Sequence, residues 1–515
     1  MRSTFAGLNT MYRGIVANQV SLDTVGHNIT NASTEGYSRQ KVNQAATLSS
    51  TIYTTYGQKQ LGTGTDVLSV MRARDVYADK QYWKESATNN YYTKKQTNYD
   101  KIEAIFNDSS DTGIEDAMEK FYATWVDLSA NASTASNRTA VIEQSKIVID
   151  RISTAATQLQ EQVAAEYEDM QIHIGKINDI FDRVVNLNKN ISTVEATGSY
   201  ANDLRDERDL LTDELASYLS INVYEDNETG VYQIVSNGAT LISGASCLHL
   251  ELADRVANKT YGVTDFTLKL KETDTVFSPT DGILKAELSN IAEDKGYIDH
   301  LANISAFFLT TFNEQHRAGY GLDGAVTDPA KHNINFFGDE NTVYSWDDTA
   351  RAVVAASGGG SEELKGINIV KELQVNMQLL GVSGTNYVCA ASAGGATADG
   401  SNAVLLSNLF NLSQDSCVNT TSPRSIGKIS LEAYYNTTMS ELGTSAEAMD
   451  NMVVSQEIIM TQVETWRSST AGVNWNEELT NMIMFQQGYA ACSRCLTTMD
   501  EMLDRLINST GVVGR

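Results

Sequence analysis

Both ends of this chain carry a narrow apolar stripe at helical spacing. Near the C-terminus it runs Met482, Phe485, Tyr489, Cys492, Leu496, Met499, Leu503 and Leu506, an unbroken alternation of three and four. Near the N-terminus it runs Phe5, Leu8, Tyr12, Ile15, Gln19, Leu22, Gly26 and Ile29, with Gln19 and Gly26 as the breaks in its apolar character. This spacing predicts coiled-coil seams. A lone helix cannot cover its own stripe, so the economical arrangement pairs the two termini and hangs everything between them off that pair. The expected molecule is a rod closed at its base by both ends of the chain.

Between the ends the patterns nest. The helical period stops after Gly26, where Asn31, Ser33 and Gly36 supply helix-ending and turn residues. Residues 40–71 read as a small β hairpin or arm, with turns at Gly57, Gly62 and Gly64. Helix is predicted over about 75–106 and 113–130. The longest signal follows, from Ile142 to Val194, with Ser145, Glu166 and His173 as the polar members of its stripe. A straight helix over that span is about 80 Å long at roughly 1.5 Å per residue, the length of a strut. A helix over 202–219 should fold back on it, its charges Asp203, Arg205, Asp206, Glu207, Arg208 and Asp209 forming a solvated face with local ion pairs. Alternation and turn signals imply antiparallel strands over 221–277, helix over 283–316, and a second β-containing insert over 325–422. Helix returns from Arg424, with Leu442, Ala446, Met449, Val453, Gln456, Met460 and Val463 as a seam to lay against the strut. The fold class is therefore mainly α with β inserts. Four units are expected: 1–40 with 475–515 as the terminal pair; 41–220, 281–320 and 424–474 as helical struts with a small β arm near 41–71; 221–280 as one insert; and 325–422 as the other.

Composition excludes several function classes. Lys and Arg number 38 against 65 Asp and Glu, a net charge of −27, so nucleic acid and anionic membrane surfaces are repelled. No apolar run approaches the roughly 18 to 20 residues that span a bilayer, and no cleavable export signal is visible. Five cysteines, at 247, 389, 417, 492 and 495, make no disulfide framework for a chain of 515 residues. Composition alone reads as cytosolic. Only three prolines occur, which suits long helices.

Nothing converges on catalysis, and neither a cofactor nor a metal site is expected. His173 falls on the strut seam, where a packed or hydrogen-bonded histidine is expected. Cys492 and Cys495, three apart, read as small side chains at or beside a packed seam rather than a metal or redox pair. Cys389 and Cys417 could pair in an oxidising setting, subject to a Cα separation that sequence does not supply. There is no His-Glu-x-x-His, and Gly358-Gly-Gly360 lacks the phosphate-loop pattern. Tyr91, Tyr92 and Tyr99 read as core or subunit contacts.

The segment Asn28-Ile-Thr-Asn31 followed by Thr34-Glu-Gly36-Tyr37-Ser38-Arg39-Gln40 resembles the signature of rod, hook and junction subunits of the bacterial flagellum. Its Tyr-Ser-Arg-Gln ending favours the hook-associated protein 1 family, the first hook–filament junction subunits. Gly472-Val-Asn-Trp-Asn-Glu-Glu-Leu479, Phe485-Gln-Gln487, Asp500-Glu-Met-Leu503, Gly511-Val-Val-Gly-Arg515, Asn202-Asp-Leu-Arg-Asp-Glu-Arg208 and Phe312-Asn-Glu-Gln-His316 resemble the same family. Two departures stand out. Glu35 occupies a place where rod and hook proteins usually carry proline, and cysteines are unusual in exported axial proteins.

The resemblance implies a non-enzymatic subunit that polymerises at the distal end of the hook and joins it to the filament. It implies export through the flagellar type III apparatus to an extracellular position. The implied partners are further copies of the chain, the hook protein, the second junction protein and a cytosolic export chaperone that takes the C-terminal helix. Alternatives are a hook, rod or filament subunit, a secreted coiled-coil effector or adhesin, and an enzyme housed in 221–422.

Overall fold

The computed structural model describes residues 5–106, 113–226, 229–322, 332–358, 360–413 and 424–509. Helix α1 (Ala6–Thr30) leads into strands β1 (Gln40–Ala46), β2 (Ser50–Thr54), β3 (Gly57–Leu61) and β4 (Thr65–Arg72). β1 pairs antiparallel with β4 across a bulge at Asn43/Gln44, and β2 pairs with β3, so the segment is one doubled-back arm. Three long helices follow: α2 (Val76–Phe106), α3 (Ile114–Ala130) and the 61-residue α4 (Ala135–Glu195). Helix α5 (Asn202–Tyr218) returns along α4.

Strands β5 (Asn222–Glu225), β6 (Tyr232–Ser236), β7 (Ala239–Ser243) and β8 (Ser246–Cys247) form an antiparallel meander. Asn237 and Gly238 both have positive φ, 46° and 77°, which matches a two-residue turn to the twist of β6 and β7. Strands β9 (Leu250–Asn258), β10 (Val263–Leu270) and β11 (Thr275–Val276) make a second sheet. Helix α6 (Ile283–Phe307) runs through a π-helical turn at Phe308–Phe312 into α7 (Asn313–Ala318). Strands β12 (Val343–Asp347), β13 (Ala352–Ser357) and β14 (Gly360–Leu364), with α8 (Ile367–Glu372) and α9 (Ser401–Asn411), complete the second insert. Two long helices close the chain, α10 (Leu431–Ala471) and α11 (Trp475–Ser509).

The strut stripe is buried as its period requires: Ile152, Ala156, Leu159, Val163, Met170, Ile177 and Val184 are all inaccessible, and exposure returns only at Val194. One helix thereby serves two cores. Residues 141–159 of α4 pack with α3, the end of α6, the π turn, the second insert and the start of α10. Within this core Phe121 is ringed by Phe308, Phe312, Phe336, Phe337 and Phe410 at 5.7–6.2 Å between centroids. Residues 163–191 pack instead with α5, the strands of 223–277 and the start of α6. Among the described residues neither insert has a separate core.

A polar layer lies between the two cores. Gln162 donates to Asn98 at 2.7 Å, and both side-chain amides donate to Asp294 Oδ1, at 3.2 and 3.0 Å. Lys94 reaches Glu166, Asp169 and Glu287 at 3.3, 3.0 and 3.7 Å, and His173 Nδ1 meets Glu287 at 2.7 Å. His173 is thus a hydrogen-bonded member of the interface between α4 and α6. Burial dominates the carboxyl of Asp294 and pushes its pKa up to about 7, against the opposing help of Asn98.

Several expectations need correction. The seam of α10, with Leu442, Val453, Gln456 and Val463 buried, packs chiefly along α2 rather than along the long strut. α2 meets it with buried polar groups as well: Gln456 Nε2 donates to Glu85 at 2.6 Å. The charges on α5 are not a solvated face, since Asp206, Arg208 and Asp209 are buried. Tyr99 is core, while Tyr91 and Tyr92 are half-buried with rings 5.3 Å apart. Cys417 lies outside the described residues, and Cys389 is a buried free thiol.

The raised Asp294 carboxyl predicts a pH slope. A folded-state pKa of about 7, above the ordinary 3.8, means that the unfolded chain ionises first. Stability is therefore lost as pH rises from about 4 to 7 and is level above that. Asp294→Asn is expected to remove this slope and to be more stable at pH 8 by on the order of 2 kcal/mol. Urea midpoints of both proteins across pH 4 to 8 measure it, and parallel curves would contradict the assignment.

Candidate functional site: the paired chain ends

Helices α1 and α11 pack antiparallel, and four contacts fix their register. A Cβ placed on Gly7 would lie 2.9 Å from Met499 Sδ, one on Gly14 3.0 Å from Cys492 Sγ, and one on Gly488 2.5 Å from Asn18 Oδ1. Asn28 Nδ2 donates to Glu478 Oε2 at 3.2 Å. The steps agree: seven residues from Gly7 to Gly14 face seven from Met499 back to Cys492, four to Asn18 face four to Gly488, and ten to Asn28 face ten to Glu478. Straight helices in one register require this equality.

The expected seam on α1 is rotated. Closest approach runs through Gly7, Gly14 and Asn18, and the buried residues are Ala17, Ser21, Thr24, Val25 and Asn28. Each of Gly7, Gly14, Ser21 and Asn28 precedes a predicted seam residue (Leu8, Ile15, Leu22, Ile29) by one position, about 100° around the helix. Small residues let the backbones approach, and the β arm holds the adjoining face. There Arg13 pairs with Asp66 at 3.0 Å and Gln44 donates to Ser21 at 2.9 Å. The apolar stripe is left along the edge of the pair: Leu8, Ile15, Leu22 and Ile29 are half-buried, while Phe5 and Tyr12 are 53% and 62% exposed. On α11, Met482, Phe485, Leu496, Met499 and Leu503 are half-buried, and Tyr489 and Leu506 are 40% and 55% exposed. Cys495 is exposed, beside the seam rather than in it.

Where α1 ends, the motif 28–40 builds a polar hub. Asn28 Oδ1 accepts from the Tyr37 hydroxyl at 2.7 Å and the Gln40 N–H at 2.9 Å, and Asn28 Nδ2 donates to the Gln40 carbonyl at 2.9 Å. Asn31 Nδ2 donates to the His27 carbonyl, and Thr34 Oγ1 to Asn31 Oδ1. The Tyr37 N–H then closes a turn on the Thr34 carbonyl at 3.2 Å, with Gly36 at φ +77°. Gly36 is required twice over, because a Cβ there would also press on Leu210 at 3.1 Å. Burial, followed by the charges of Asp203, Asp206 and Glu478, raises the Tyr37 hydroxyl and keeps it a hydrogen-bond donor.

The hub continues into an ionic joint. The Ser38 N–H donates to Asp206, Gln40 Nε2 to Asp203, and Arg39 pairs with Glu477 at 3.0 Å. Arg72 bridges Asp206 and Asp209, both at 2.7 Å, and Arg74 reaches Asp79 at 2.7 Å and Asp209 at 3.0 Å. Arg467 from α10 adds contacts to Asp79 at 2.8 Å and Asp213 at 2.6 Å. Burial works to raise Asp209, but Arg74, Arg72 and Arg208 outweigh it and hold the carboxyl below its usual range. Sequence reasoning missed this joint. Its signal was present as Asp206, Asp209 and Asp213 on one face of α5 and as Arg72 and Arg74 two apart.

These features have relatives. Residues 99–331 match the family described as the flagellar hook-associated protein FlgK helical domain, and residues 467–509 match the flagellar basal body rod FlgEFG protein C-terminal family. Flagellar hook-associated protein 1 of Bacillus subtilis (strain 168) is 30% identical over the whole of both chains. The chain belongs to the flagellar hook-associated protein 1 family. The Escherichia coli (strain K12) protein of that name is 23% identical, over 97% of this chain and 99% of its own. The flagellar hook junction protein FlgK from Burkholderia pseudomallei shares the fold, with a TM-score of 0.55 at 13% identity over 76% of this chain and all of that one. The family is structural, a component of the flagellum and not an enzyme. Among the described residues no helix is long and apolar enough to cross a membrane.

The register of the pair is directly testable with a thiol the chain already has. A Cβ at position 14 would lie 3.9 Å from Cys492 Cβ, within the range that a disulfide spans. Gly14→Cys is expected to oxidise to a 14–492 cross-link, seen as a linked peptide in mass spectra and a mobility shift without reductant. Gly26→Cys, which has open space around it, should stay reduced. Equal cross-linking of the two variants would refute the register.

Proposed function

We infer that this chain is a structural subunit of the flagellum that polymerises at the distal end of the hook and joins hook to filament. The observation that carries the reading is the full-length match to flagellar hook-associated protein 1, in a chain whose two ends meet in one helix pair. In this reading 1–40 with 475–515 is the assembly unit. Segments 41–220, 281–320 and 424–474 are the struts that carry the arm, and 221–280 and 325–422 are inserts fused to the struts through shared cores. The half-covered stripe of Phe5, Leu8, Tyr12, Ile15, Leu22, Ile29, Met482, Phe485, Tyr489, Leu496, Met499, Leu503 and Leu506 is the surface buried against neighbouring copies. An apolar edge of this kind is an aggregation hazard until it is covered.

Further partners follow from the same stripe. We assign the hook protein and the second junction protein as axial neighbours, and a cytosolic export chaperone as the first occupant of α11, before type III export. An amphipathic helix is read by a groove through the spacing that later pairs it with α1.

Complementation tests the reading. In a strain lacking its junction protein this chain should restore motility, whereas the uncomplemented strain keeps hooks and sheds filaments. Motility unrestored by a stably produced chain would overturn it. Leu496→Asp with Leu503→Asp should abolish both chaperone binding by calorimetry and incorporation at hook tips by microscopy. Charge changes at the exposed Arg494 and Arg505 should have little effect on either.

A further inference from the structure

Helix α4 carries a row of side chains that fasten the edge of the first insert. Asn178 makes a two-point contact with Leu250, donating to its carbonyl at 2.8 Å and accepting its N–H at 2.9 Å. Ten residues on, Asn188 donates to the Gly244 carbonyl at 2.9 Å. Asp182 lies between them, one turn after Asn178 and on the same face. The chain held by those two amides is the segment that bears Cys247 and His249.

His249 is fixed from its other side. Glu272 accepts the His249 backbone N–H on one oxygen at 2.8 Å and meets ring Nδ1 with the other at 2.7 Å. The free Nε2 then faces Asp182 Oδ1 at 3.2 Å and Cys247 Sγ at 3.8 Å, and the thiol stands 3.9 Å from the same carboxylate oxygen. The three donors are one oxygen, one nitrogen and one sulfur, drawn together by contacts that do not involve them.

We propose that Asp182, Cys247 and His249 form a zinc-binding site, oriented by Glu272. Zinc takes four ligands at about 2.0–2.3 Å, so neighbouring donors around it stand roughly 3.3–3.6 Å apart. The observed triangle of 3.2, 3.8 and 3.9 Å closes onto that geometry with side-chain adjustment alone. The mixed N, S and O set disfavours calcium and magnesium, which want oxygen. A carboxylate on the second ring nitrogen of a ligating histidine is the partner that fixes its tautomer and raises its basicity. Asp182 is largely exposed, so the fourth position opens to water. On binding, the thiol proton leaves to solvent, together with the Nε2 proton when the ring between Glu272 and Asp182 is an imidazolium, and the metal takes the place between the three donors. The ion would tie the insert to the strut at a third point, between the two asparagine clamps.

Cobalt(II) is the probe, because thiolate ligation gives a near-ultraviolet charge-transfer band that zinc does not have. The reduced full-length protein should show that band at one equivalent, and one equivalent of zinc should abolish it. Cys247→Ser should lack the band, while the double variant Cys492→Ser with Cys495→Ser should keep it. In competition with a chromophoric chelator, zinc affinity should fall about 10- to 100-fold in Glu272→Gln, and further in His249→Ala. Glu272 is exposed and Cys247 and His249 are partly buried, and unchanged circular dichroism checks that each variant folds. A band that survives Cys247→Ser, or a Glu272→Gln protein that binds zinc like the parent, would overturn the site and leave an ion-paired surface cluster.

Discussion

Arg72 and Arg74, two residues apart at the end of the β arm, are both nearly inaccessible, and a buried guanidinium is tolerable only with carboxylates around it. No single element supplies enough of them. α5 brings Asp206, Asp209 and Asp213, α2 brings Asp79, and α10 sends Arg467 into the same network. Arm, strut and α10 must therefore meet at one place, and the hub of Asn28, Tyr37 and Gln40 joins the terminal pair to it through Ser38 and Asp206. Removal of one member would leave its partner charged and buried, which is why this joint is specific as well as stabilising.

The strut above the joint is organised by the polar side chains that α4 buries. Its two apolar stretches are separated by Gln162, Glu166 and His173, where α6 answers with Glu287 and Asp294 and α2 with Lys94 and Asn98. The layer separates two hydrophobic cores along one continuous helix. Register between α2, α4 and α6 is thereby fixed by hydrogen bonds that only one alignment satisfies, whereas apolar surfaces alone would tolerate sliding.

At the base the balance is different. Gly7, Gly14 and Gly488 bring α1 and α11 close but bury little, and the larger apolar side chains lie along the edge of the pair. Such a pair is complete in register and incomplete in burial. A subunit that must associate with further copies needs that combination, since surface consumed within the monomer is not available to a neighbour.

Periodicity alone determined the long strut, the helical character of both chain ends and the β character of 221–277, because each is a local pattern of three, four or two residues. The excess of acidic side chains, a net charge of −27, was likewise legible directly. Tertiary structure decided the rest. The seam on α1 turned by one residue because glycine and serine permit close backbone approach, and an apolar stripe does not reveal which flank a partner will take. The choice of α2 as the partner of α10 rested on buried polar groups that carry no hydropathy signal. The carboxylates of α5 went inside because the guanidinium groups that meet Asp206, Asp209 and Asp213 come from positions 72, 74 and 467, far outside the local pattern of the helix. Asp182, Cys247, His249 and Glu272 came together for the same reason: a strut, a strand edge and a loop far apart in sequence meet only once both cores have formed.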